Sequence, residues 1–129
     1  MNINKKHVLV VDDEKSWRDI VALRLTQLGC TVDQADNACD ARDLLESKKY
    51  DLVVCDNNMG AANAGVSLLA WIRTGSGNTD VPFILHTGDD GESIPKVLSQ
   101  FNGTYCYKQD GTLRETLAKA LAPKKAEAA

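Results

Sequence analysis

The 129-residue sequence predicts an α/β fold: a doubly wound five-stranded parallel sheet with helices on both faces. Three runs, Val8 to Val11, Leu52 to Cys55 and Val81 to Leu85, are short, apolar and rich in Val, Ile and Leu. They lack the alternation of a half-exposed strand, which is the pattern of central strands buried on both faces. Helical periodicities separate them, and parallel neighbours need crossovers of that length. Acids also close two of the runs, Asp12 and Asp13 after the first and Asp56 after the second. In such a sheet the residues that follow the strands gather along one edge, where ligands bind.

Taken in order, Val8 to Val11 is the first strand. Trp17, Val21, Leu25 and Leu28 then share a helical face, and Gly29 stands where a helix stops. Thr31 to Ala35 alternates, which suits a strand nearer the sheet edge. Asn37 is placed to cap a second helix with an apolar stripe of Ala38, Ala41, Leu44 and Leu45. After the strand Leu52 to Cys55, the residues Leu68, Leu69 and Ile72 mark a third helix. Val81 to Leu85 is the fourth strand. A fourth helix covers about Ser93 to Gln100, with Pro95 in its first turn, where proline is tolerated. Gly103 to Tyr107, with a Thr and two Tyr, suits an edge strand, and Leu113, Leu117 and Leu121 define a fifth helix before Pro123. One domain is expected over residues 1–122, followed by a short C-terminal tail, 123–129.

Composition narrows the function classes. The net charge of -3 offers no general basic field for a phosphate backbone, so no direct nucleic-acid partner is expected. No apolar run approaches the ~20 residues a bilayer requires. Met1 to Lys6 lacks the apolar core of a signal peptide. The expectation is a cytoplasmic protein without membrane insertion. Cys30, Cys39, Cys55 and Cys106 contain no C-x-x-C pair and read as reduced thiols. His7 and His86 lie in or beside apolar runs and read as structural.

Asp12, Asp13 and Asp56 would meet at the sheet edge, and carboxylates so close raise one another's pKa unless a cation neutralises them. Hard oxygen ligands of this kind suit Mg²⁺. Read singly, Asp12 or Asp13 is explained as a helix cap or first-turn acid. That explanation covers one acid, not two beside a third.

The segments Val8-Leu-Val-Val-Asp-Asp-Glu14, Tyr50-Asp-Leu-Val-Val-Cys-Asp56, Ile84-Leu-His-Thr87 and Tyr105-Cys-Tyr-Lys108 together resemble the receiver domains of two-component response regulators, over roughly residues 6 to 122. The resemblance implies the flavodoxin-like strand order 2-1-3-4-5. It also implies a phosphoacceptor switch: a sensor histidine kinase or histidine phosphotransfer protein donates a phosphoryl group to Asp56, with Mg²⁺ as cofactor. The surface of helix 4, strand 5 and helix 5 then changes for a downstream target protein or relay. Such a domain promotes its own phosphorylation and dephosphorylation and is not a conventional turnover enzyme.

Position by position, Asp56 resembles the phosphoacceptor, Asp13 the direct metal ligand and Asp12 the acid that holds metal-bound water. The main-chain carbonyl of Asn58 resembles the third protein ligand. Lys108 resembles the lysine that contacts the phosphoryl oxygens, Thr87 the hydroxyl that bonds the phosphoryl group, and Tyr105 the switch aromatic, with Tyr107 a nearby competitor.

Two loops depart from the pattern. Gln109 stands where the family commonly has Pro after the lysine, and a trans peptide is expected there because cis costs ~2.5 to 4 kcal/mol before a residue other than Pro. Met59-Gly60 replaces Met-Pro, and the spacing to Gly65 is one residue longer, which predicts a mobile loop. Other readings fit less of the pattern. A haloacid dehalogenase type phosphatase wants an acid where Asn58 stands. A flavin module wants hydroxyls and N–H groups where Asp12-Asp13-Glu14 stands. A degenerate receiver acting as a phosphorylation-independent docking module would not need the intact quintet.

Overall fold

A computed structural model describes residues 6–88, 91 and 93–122. The elements alternate as β1 His7–Val11, α1 Lys15–Gln27, β2 Thr31–Ala35, α2 Ala38–Ser47, β3 Leu52–Cys55, α3 Ala64–Arg73, β4 Phe83–Thr87, α4 Ser93–Gln100, β5 Gly103–Tyr107 and α5 Leu113–Leu121. All neighbouring strands pair parallel in the order β2-β1-β3-β4-β5. The alternating strands and helices therefore wind as expected, with β2 and β5 at the edges. The expected tail from Pro123 lies outside the described residues, as do Asp89, Asp90 and Glu92.

Period-two alternation divides the core between the two faces of the sheet. Leu9 and Val11 of β1 join Ala41 and Leu45 of α2, Leu68, Leu69 and Ile72 of α3 and Ile94 and Leu98 of α4. Val8 and Val10 point the other way, onto Val21 and Leu25 of α1 and Leu117 and Leu121 of α5. Each fully buried Leu or Val contributes about 1.5–3 kcal/mol of burial free energy. Among the described residues no helix is long and apolar enough to cross a membrane.

Local signals explain the helix ends. The Asn37 side chain accepts from Asp40 N at 2.8 Å, so it caps α2 as its position predicts. Gly29 follows α1 with φ +89°, a conformation that costs glycine nothing. β1 starts one residue earlier than expected, at His7, and β4 is shifted further, running Phe83–Thr87 instead of Val81 to Leu85. Pro82 has no N–H to give a ladder, and its contribution is a carbonyl that accepts from Val53 N at 2.9 Å.

Two polar side chains, buried Asn78 and half-buried Arg73, stitch the end of the sheet away from the acids. The Asn78 amide donates to Leu45 O and Lys48 O and accepts from Tyr50 N. The Arg73 guanidinium donates to four carbonyls, those of Thr79, Val81, Phe101 and Asn102. Asn78 ties the loop before β4 to the segment before β3, and Arg73 holds the loops leading into β4 and β5.

Candidate functional site

Three of the expected residues each stand one position beyond a strand: Asp12 after β1, Asp56 after β3 and Lys108 after β5. Each continues the ladder by one more bond. Asp12 N donates to Ala35 O at 3.2 Å, Asp56 N to Val11 O at 2.9 Å, and Lys108 N to Thr87 O at 2.8 Å. The backbone of the sheet thereby places all three at the same edge. Thr87 is the last residue of β4 and is buried.

The side chains converge. Lys108 Nζ lies 3.0 Å from Asp12 Oδ2, 3.4 Å from Asp56 Oδ2 and 3.7 Å from Glu14 Oε1. Asp12 and Asp56 are buried, whereas Asp13 and Glu14 are exposed on the rim. Ligand oxygens from Asp12, Asp13, Glu14 and Asp56 all lie within 4.8 Å of one another. Four carboxyl groups thus share one place, and among the described residues Lys108 is the cation paired with them. This donor set is hard, oxygen-only and under-neutralised, which fits a small divalent cation. A cavity of about 430 Å³ beside it is bordered by Asp56, Asn58, Thr87, Lys108, Glu14 and Trp17, so Asp56 faces open space.

Electrostatics follow from this crowding. Burial raises the pKa of Asp12, the Glu14 N–H and Lys108 oppose the rise, and the charge of Asp56 adds to it. Burial works against the Lys108 ammonium, yet hydrogen bonding and attraction from Asp12, then Asp56, hold its pKa above the ordinary lysine value. The Asp12 side chain also accepts from Glu14 N at 2.9 Å, fixing the turn into α1. The Cys55 thiol is pushed up first by burial and then by Asp56 and Asp12, and it donates to Asp56 O at 3.0 Å.

In the β3–α3 loop, asparagine side chains bond to one another and to the backbone. Asn57 is fully buried: its amide donates to Asn63 Oδ1 at 3.0 Å and accepts from Val66 N at 3.1 Å, while Asn63 N donates to Asn58 Oδ1 at 3.3 Å. Gly60 has φ +79° and Asn63 φ +62°. Proline cannot adopt the first of these, because its ring holds φ near -65°. Two left-handed positions shape this loop, and three asparagines tie it together. Asn58, expected to offer its carbonyl, is exposed on the cavity side of this loop. Gln109 follows Lys108 through a trans bond, there being no cis peptide among the described residues.

Tyr105 is half-buried and packs on the α2–α4 side of the sheet, paired with Leu85, while Tyr107 pairs with Thr87 itself. Both tyrosines therefore share the face of Thr87, and register does not separate them. Sequence reading did not place two other residues near Lys108. Trp17, assigned to the packing face of α1, lies with its ring centroid 5.0 Å from Lys108 Nζ. His86, taken as structural, stands with its ring at 80° to that of Trp17, the centroids 5.2 Å apart. The place of His86 next to Thr87 was a signal for the second; periodicity alone held none for the first.

Comparison with known proteins agrees with this geometry. The family model of the response regulator receiver domain matches residues 8–106. The regulatory protein VirG of Rhizobium rhizogenes is 33% identical over 116 residues, 88% of this chain and 46% of VirG. The CAI-1 autoinducer sensor kinase/phosphatase CqsS of Vibrio cholerae is 33% identical over 97 residues, 74% of this chain and 14% of CqsS. The crystal structure of the response regulator TrrA of Thermotoga maritima, in complex with Mg²⁺ and BeF, superposes with a TM-score of 0.77 at 28% identity. The match covers 90% of this chain and 99% of that one. The chain spans less than half the length of the VirG relatives it matches. With the family model matching residues 8–106, which hold β1 to β4 and the acids that follow β1 and β3, the chain belongs to the response regulator receiver domain family.

Proposed function

We propose that residues 6–122 work as a phosphoacceptor switch in which Asp56 is the nucleophile. The observation that carries this reading is a buried carboxylate at a strand end, facing a cavity, with the Lys108 ammonium 3.4 Å away. An Asp56 oxygen attacks phosphorus on a phosphohistidine, the P–N bond breaks, and the imidazole leaves with its electron pair and takes up a proton. An acyl phosphate remains on Asp56. Asp12, Asp13, Asp56 and the main-chain carbonyl of Asn58 would hold Mg²⁺, which when bound offsets the repulsion between an anionic donor and an anionic nucleophile. Lys108 then receives charge from the phosphoryl oxygens, and the Thr87 hydroxyl donates to one of them.

Withdrawal of Thr87 toward the phosphoryl group vacates space on the face it shares with Tyr105. Tyr105 turning inward would alter the surface of α4, β5 and α5. The donor is a sensor histidine kinase or a histidine phosphotransfer protein, a partner class supported by similarity to a segment of the sensor kinase CqsS. The readers are a downstream target protein or a relay partner, in the cytoplasm, with no direct nucleic-acid contact by these residues. The acyl phosphate returns to carboxylate by hydrolysis, so the protein resets without acting as a conventional turnover enzyme.

Beryllofluoride, which mimics a phosphoryl group on a carboxylate, tests this reading when titrated with Mg²⁺ and followed by tryptophan fluorescence. Wild type should respond saturably, and Asp56→Asn or excess chelator should abolish the response. A wild type that stays silent would contradict the proposal.

A further inference from the structure

We propose that Trp17 is the positioning residue for Lys108, its indole face forming the platform that aims the ammonium across the acid pocket. The proposal rests on the phosphoacceptor reading of Asp56 and adds to it the device that orients the lysine.

A lysine side chain is a long, freely rotating stem, and something must select its direction. The chain after Lys108 does not do so: Gln109 and Asp110 are exposed, and Gly111 turns away with φ +75°. Two kinds of group stand around the ammonium. Asp12, Asp56 and Glu14 are anions whose attraction for the ammonium weakens when another cation occupies the pocket. Trp17 is neutral, and its attraction for an ammonium over the ring face persists through such changes. The Lys108 side chain is 4% exposed, so this contact is made almost out of water, where it is strongest.

Trp17 is itself held. It sits in the first turn of α1, three residues after the Glu14 cap, and its ring stands at 80° to that of buried His86. This T-shaped arrangement is a preferred geometry for two rings. His86 belongs to β4, directly before Thr87, so the platform is anchored to the strand that carries the phosphoryl-binding hydroxyl. Burial, with Lys108 nearby, keeps the imidazole uncharged at neutral pH, so it sets no second cation against the lysine. One packed line, His86, Trp17, Lys108, therefore joins β4, α1 and β5.

The test is a double-mutant cycle on phosphoryl uptake from acetyl phosphate at saturating Mg²⁺. Trp17→Leu should slow uptake on the order of tenfold, Trp17→Phe should restore most of the rate, and Mg²⁺ affinity should change less than about twofold. In the Lys108→Met background Trp17→Leu should have no further effect. A Trp17→Leu protein with wild-type rate, or one slowed equally with and without Lys108, would overturn the proposal. A second measurement is independent of how well that variant folds. In Trp71→Phe protein Trp17 is the sole tryptophan, and Lys108→Met should shift its emission; unchanged emission also overturns the proposal. Absence of any uptake by wild type is a different signature, and it removes the Asp56 reading together with its platform.

Discussion

The Lys108 ammonium lies nearer to Asp12, at 3.0 Å, than to Asp56, at 3.4 Å. One cation thus bridges the acid that ends β1 and the acid that ends β3, and it neutralises the expected metal side of the pocket as well as the expected nucleophile. A divalent cation bound by those acids would take over that neutralising role and leave the ammonium available to phosphoryl oxygens.

Removal of Lys108 should therefore expose how much of the pocket's stability it supplies. Lys108→Met leaves Asp12 and Asp56 buried without their shared partner, a loss of about 3–5 kcal/mol for a broken buried pair. The thermal midpoint of the Mg²⁺-free variant should fall accordingly. Added Mg²⁺ should raise that midpoint more in the variant than in wild type, because it competes with no ammonium. Equal Mg²⁺-induced shifts in the two proteins would contradict the bridge.

Gly65 is required by packing and not by a turn. A methyl group there would collide with the carbonyl oxygen of Asp56 and approach Leu85 Cδ1 to 2.8 Å and Asn57 Cα to 2.9 Å. Two of those atoms are backbone and cannot swing aside. Gly65→Ala should cost about 1–3 kcal/mol in denaturant unfolding, as overpacking does, and should slow uptake at Asp56 because its backbone must move. A variant as stable and as fast as wild type would show that the loop yields freely.

His86 gives the protein a pH dependence of definite sign. Burial first, and Lys108 second, lower its pKa to about 4, with Asp56 and Asp110 pulling the other way. The unfolded imidazole takes up a proton near the ordinary 6.5 and the folded one does not. Stability is then complete above pH 6.5, declines as pH falls, and has lost roughly 3 kcal/mol by about pH 4. His86→Phe, which keeps a ring edge against Trp17, should flatten that stretch. The difference between the two proteins isolates the imidazole from Asp12, whose raised pKa acts in the opposite direction, and from Asp33. Despite partial burial, Tyr50 and Lys48 hold the Asp33 carboxyl below its ordinary value. Parallel pH profiles for wild type and His86→Phe would show that the imidazole is not buried neutral.

The fold was legible because burial on both faces leaves a direct trace in the chain: unbroken apolar runs for β1, β3 and β4 and mixed ones for the edge strands. Strand order was legible through family resemblance, since alternation alone allows several windings. Asp12, Asp56 and Lys108 were legible because each directly follows a strand, and ladder bonds then place them without help from distant residues. The start of β4 was not, because Val81 is apolar but Pro82 cannot extend the ladder. The asparagine clasp of Asn57, Asn58 and Asn63 was hidden for another reason: polar residues in a loop read as solvated until their partners are known. Trp17 and Arg73 share that property. A tryptophan on a helix face reads as packing, and an arginine at a helix end reads as a partner for the helix dipole. Their contacts with Lys108 and with four distant carbonyls are set by tertiary structure.

The central claim is that Asp56 accepts the phosphoryl group, and intact-mass measurement after incubation with acetyl phosphate and Mg²⁺ tests it most directly. Wild type should gain the mass of one phosphoryl group, lose it on treatment with hydroxylamine as an acyl phosphate does, and gain nothing when Mg²⁺ is withheld. Asp56→Asn should gain nothing under any condition. A wild type that stays at its starting mass, or an Asp56→Asn variant labelled to the same extent, would contradict the account.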